Sequence, residues 1–111
     1  MMNILKIDGY RAVIQFDPEI EMFRGEFVGL NGSADFYAND INNLKKEASI
    51  SLKVFLEMCK EDGVAPQKIY SGKFNVRVPS NLHAEIAEVA MAEGKSLNQW
   101  VSDTMDQAVH R

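Results

Sequence analysis

The sequence predicts an α+β chain in two parts: a three-stranded antiparallel sheet with one long helix over residues 1–65, then a connection at 66–72, then a strand and two short helices over 73–111. Three observations predict it. Apolar residues alternate with polar ones between turn signals from Tyr10 to Ala38, recur every three or four residues from Ile41 to Cys59, and alternate again from Lys73 to Pro79 ahead of two helical patterns.

Tyr10-Arg11-Ala12-Val13-Ile14-Gln15-Phe16-Asp17 is rich in β-branched and aromatic residues and runs into Pro18, which cannot continue a ladder, so a first strand ends there. Met22 to Val28 follows, with Phe23, Gly25 and Phe27 on one face. Asn31-Gly32 is read as a type I′ hairpin turn, because both residues tolerate positive φ, and Ala34 to Ala38 fits the third strand. Ile41, Leu44, Ala48, Leu52, Phe55, Leu56 and Cys59 then make one apolar stripe over about five turns. Asp40 is placed to cap this helix and Gly63 to close it.

Val64 to Gly72 holds Pro and Gly and has no clear period, as a connection does. In the strand that follows, Phe74, Val76 and Val78 share one face and Lys73, Asn75 and Arg77 the other. The first C-terminal helix starts near Ser80 with Leu82, Ile86, Val89 and Ala90 as its stripe. The second opens at Ser96, whose hydroxyl can cap the Gln99 amide while Gln99 reaches back, a capping box. Its inward face includes Leu97, Trp100 and Val101.

Composition narrows the chemistry. The 111 residues carry a net charge of −4, divided as −3 over residues 1–69 and −1 over 70–111, so any nucleic-acid contact rests on a few placed cations. No apolar run approaches the roughly 20 residues of a membrane span, and the start lacks the features of a secretory signal, so a cytoplasmic protein is expected. Cys59 is the single cysteine and has no ligand-spaced Cys or His, which argues against an internal disulfide or structural zinc; no cofactor is assigned. His83 and His110 have no nucleophile arrangement around them and read as surface residues. No catalytic residue is assigned, and a metal nuclease built on the N-terminal carboxylates is disfavoured because the sheet is too small to gather them.

One strand and two helices in about forty residues bury too little surface to fold alone, so a partner is required. Two copies of Lys73–Pro79 paired antiparallel would drop Phe74, Val76 and Val78 onto a shared core with Leu82, Ile86, Trp100 and Val101. That ribbon would raise Lys73, Asn75 and Arg77 on its other face, where it fits the major groove and those side chains can read guanine and adenine edges. Gly94, Lys95, Ser96, Leu97 and Asn98 would clamp a phosphate at the start of the second helix.

Ser71-Gly72-Lys73-Phe74-Asn75-Val76-Arg77-Val78-Pro79, with Leu82-His83 and Glu93-Gly94-Lys95-Ser96-Leu97-Asn98, resembles the ribbon-helix-helix tail of the HicB antitoxin family. The unit entered through Gly9-Tyr10 and left through Cys59-Lys60-Glu61-Asp62-Gly63 is similar to that family's partial RNase H-like domain. The resemblance implies a type II antitoxin that neutralises a HicA-like toxin, a small basic protein that cleaves messenger RNA, and represses its own operon by binding operator DNA as a homodimer or higher even-numbered oligomer. It gives no short motif for the toxin contact, which falls to the N-terminal unit and an acidic surface including Asp17, Glu19, Glu21, Glu26 and Asp35. The other reading is a free-standing ribbon-helix-helix regulator whose N-terminal domain senses a ligand or mediates assembly.

Overall fold

The computed structural model describes residues 3–111, which divide into two compact units, one ending at Ser71 and the other running from Gly72 to Arg111. The first is a four-stranded antiparallel meander, β1 (Ile4–Ile7), β2 (Tyr10–Asp17), β3 (Met22–Phe27) and β4 (Asp35–Ala38), paired in chain order, with α1 (Ile41–Asp62) across one face. The second holds α2 (Ser80–Ala92) and α3 (Leu97–Val109).

The sheet has four strands where three were expected. The added strand is β1, which pairs Leu5 with Ala12 and Ile7 with Tyr10. It turns into β2 through Asp8 and Gly9, both at positive φ, 48° and 85°, the pair of conformations that a two-residue primed hairpin needs. Asn31-Gly32 does not make such a turn. The last β3–β4 bond, from the Phe27 amide to the Ala34 carbonyl at 3.0 Å, encloses a six-residue loop, and Asn31 is not among the residues with positive φ. Asn31 instead holds the chain that leaves α1: its amide donates to the Pro66 carbonyl at 2.8 Å and its side chain to the Ala65 carbonyl at 3.3 Å, while the Lys68 amide donates to Gly29 at 2.8 Å.

The registers Ala12–Phe27, Ile14–Gly25, Phe16–Phe23 and Gly25–Phe36 put these residues on one face of the sheet. That face meets Leu44, Ala48, Leu52, Phe55 and Cys59 of α1 in a single buried cluster. Gly25 is required by packing: a Cβ there would lie inside the ring of Phe36, which crosses the sheet above it. Gly32 combines φ of 150° with close approach to Phe55, whose ring would lie 2.9 Å from an added Cβ.

The ends of α1 follow from their residues. Asp40 has extended backbone and accepts from the Asn43 amide at 2.8 Å; Gly63 adopts the left-handed conformation (φ 67°), letting Val64 bond back to Cys59. The α2 terminus is built alike, with Gly94 at φ 70° and the Lys95 amide bonded to the Ala90 carbonyl at 2.9 Å.

Candidate nucleic-acid interface

Residues 73–79 form no strand within the single chain, and Lys73, Asn75 and Arg77 are all exposed. The alternation is present but a ladder needs a second edge. On the other parity Phe74 is 71% exposed and Val76 63%, and Val78, Leu82, Val89 and Leu97 are exposed as well. Ile86, Trp100 and Val101 are half-buried. Ala90, at 2%, is the buried hydrophobic residue of this unit.

The turn between α2 and α3 is built around Ser96. Its hydroxyl accepts from the Gln99 amide at 3.1 Å, which leaves the Leu97 and Asn98 amides of the first turn to other acceptors. The reciprocal half of the capping box, the Ser96 amide donating to the Gln99 side-chain oxygen, is not formed among the described residues; the Gln99 side-chain amide instead donates to Asp103 Oδ1, one turn on, at 2.7 Å. Asp103 also meets the Lys95 ammonium at 3.0 Å. The pair raises the Lys95 pKa and, with the Gln99 bond, lowers that of Asp103. Lys95 therefore sits beside the two uncapped amides but already faces an anion.

The five carboxylates assigned to partner binding divide into two groups. Asp17, Glu19 and Glu21 surround the β2–β3 turn, where Asp17 accepts from the Glu19 amide at 3.0 Å. Glu26 and Asp35 lie opposite one another on the sheet face away from α1 and share Arg24, at 3.3 and 3.1 Å. Arg24 also donates to the Tyr37 hydroxyl at 3.1 Å, and these bonds raise its pKa. Two of the five expected carboxylates thus share one cation within the sheet.

Among the described residues no three His, Cys, Asp or Glu side chains gather as metal ligands, and no helix is long and apolar enough to cross a membrane. Cys59 is buried in the core. Two features escaped the sequence reading. Asp103 lies eight positions from Lys95, outside the capping motif. Ile50, Val54 and Met58 are exposed at four-residue spacing on α1, a second stripe legible in the sequence but hidden by the stronger one that forms the core.

Residues 55–105 match the HicB family. This supports a HicB-type family for the chain. The matched segment runs from the later turns of α1 into α3, so it includes residues 73–79 and the α2–α3 turn. HicB proteins are in general antitoxins of toxin–antitoxin systems, and non-enzymatic. No curated protein and no solved structure matched the chain.

Proposed function

We propose that the chain is an antitoxin whose N-terminal unit neutralises a HicA-like, mRNA-cleaving toxin and whose C-terminal unit pairs with a second copy to bind operator DNA and repress its own operon. The HicB match carries this reading. The exposed apolar row Phe74, Val76 and Val78 supports the pairing, since its burial against a second copy supplies the core that about forty residues lack. Antiparallel pairing puts Lys73, Asn75 and Arg77 of both copies on one polar face, with the side-chain chemistry to read base edges. The Leu97 and Asn98 amides and Lys95 supply the phosphate contact that fixes register.

Antitoxin activity is tested by co-expression with the short reading frame beside the gene. Rescue of growth and a complex that co-purifies are expected. If the neighbour is not toxic, or its toxicity persists with no complex formed, the toxin half is wrong. Binding to DNA upstream of the gene, with a two-fold symmetric footprint, tests the repressor half. A footprint without a toxin partner would return the free-standing regulator.

A further inference from the structure

We infer that Asp103 is a built-in competitor of the DNA phosphate for the Lys95 ammonium, and so a residue that sets how tightly the tail holds DNA of any sequence. This rests on the operator-binding reading above and adds to it a side chain outside the capping turn.

The tail has few cations to spend on phosphate. From residue 70 onward the chain carries Lys73, Arg77, Lys95 and Arg111 against Glu85, Glu88, Glu93, Asp103 and Asp106. Lys73 and Arg77 belong to the polar parity of the 73–79 segment, and Arg111 lies past the end of α3. Lys95 is therefore the cation of the α2–α3 turn.

Its carboxylate partner is held from both sides. Lys95 Nζ lies 3.0 Å from Asp103 Oδ2, and the Gln99 side-chain amide donates to Oδ1 at 2.7 Å, so each oxygen is engaged and Gln99 fixes the carboxylate from one turn before it. The Lys95 and Asp103 side chains are 37% and 35% exposed, against 72% for both members of the His110–Asp106 pair at the end of α3. Solvent screens the first pair less. Glu93, at the end of α2, adds a second negative charge toward the same ammonium.

A phosphate at this turn would be met by the Leu97 and Asn98 amides, which the Ser96 cap leaves over, and would draw on Lys95 for its counter-charge. Transfer of the ammonium breaks the bond to Asp103. An ammonium has three donors and could be shared, but the carboxylate would then stand beside the phosphate and repel it. Asp103 weakens the contact in either arrangement. Because a phosphate contact carries no sequence information, the loss falls on all DNA alike, and discrimination between sequences is left to the base-reading side chains.

The test uses the full chain, a duplex from upstream of the gene and an unrelated duplex of equal length, titrated by fluorescence anisotropy at several salt concentrations. Asp103→Asn is expected to tighten binding to both duplexes about three- to tenfold, one turn from each copy contributing, with dimerisation and melting temperature as in the unsubstituted chain. Its affinity is also expected to fall more steeply with salt, since salt no longer screens a competitor along with the contact. Asp103→Ala, which removes the carboxylate and favours the helix, is expected to act alike, and Asp103→Glu, which keeps the charge, to bind as the unsubstituted chain does. Lys95→Ala is expected to cost more when combined with Asp103→Asn than alone, a coupling that a purely structural role for Asp103 would not produce. Equal or weaker binding by both Asp103→Asn and Asp103→Ala, with the unsubstituted chain binding, would overturn the competition and leave the operator reading standing; so would strictly additive effects at positions 95 and 103. Binding to neither duplex by the unsubstituted chain and by Asp103→Asn would remove the operator reading and this inference with it.

Discussion

Residues up to Ser71 and residues from Gly72 onward obey the same local rules and reach different ends. Both have capped helices and apolar residues at helical spacing, yet the first unit gathers eleven buried residues in one cluster and the second buries Ala90. The sheet accounts for the difference. Four strands paired side by side give α1 a continuous apolar floor, whereas the second unit offers α2 and α3 no sheet, just a single extended segment. Good helices do not make a core; a second layer does.

The sharpest way to break this comparison is Phe74→Asp, which would put two like charges into the shared core of the tail dimer proposed above. Loss of the dimer in sedimentation is expected, with the spectroscopic signature of the N-terminal unit retained. Dimerisation surviving through residues 72–111 would show that the tail is completed in some other way. Leu52→Ala attacks the opposite side. Leu52 is 2% exposed, so its truncation is expected to cost the first unit about 2–5 kcal/mol in denaturant unfolding and to leave dimerisation intact. Equal losses in both units would mean that they unfold together.

Arg77→Ala asks whether the polar side of the tail has the role assigned to it. A loss of about 1–3 kcal/mol in specific operator binding is expected, with non-specific binding and dimerisation little changed. An unaltered footprint would remove Arg77 from base reading. The smallest effect concerns acid. The Asn43 amide and then its side chain hold the Asp40 carboxyl below its usual pKa, so the cap contributes fully above the ordinary carboxylate range and is lost as pH falls through the lowered value. Asp40→Asn keeps an oxygen acceptor without that titration. It is expected to flatten the acid limb of stability in the first unit, measured by thermal melts across pH; an unchanged limb would show that other carboxylates set it.

Legibility in the sequence followed how local each cause was. The boundaries of α1 were readable because Asp40 and Gly63 act on the backbone beside them. β1 was not read, although Asp8-Gly9 announces its turn, because Ile4-Leu5-Lys6-Ile7 has apolar residues of both parities and blurs the alternation. Asn31-Gly32 was overread for the converse reason: its composition suits a tight turn, but Asn31 is used to hold Ala65 and Pro66, more than thirty positions away. In the candidate interface the polar and apolar parities of 73–79 were legible, as was the Ser96 cap. The grip of Asp103 on Lys95 was not, since it depends on how α3 leaves the turn.

Gly25 and Phe36 carry a consequence for how this sheet can vary. The space a side chain would take at position 25 is occupied by a ring from the neighbouring strand, so the two positions hold one volume between them. Enlarging the first without shrinking the second overfills the layer beneath α1; shrinking the second alone leaves it hollow. Compensating substitutions at this pair are therefore expected to cost less together than either does alone, so that a path through either single change crosses a less stable intermediate than its endpoint.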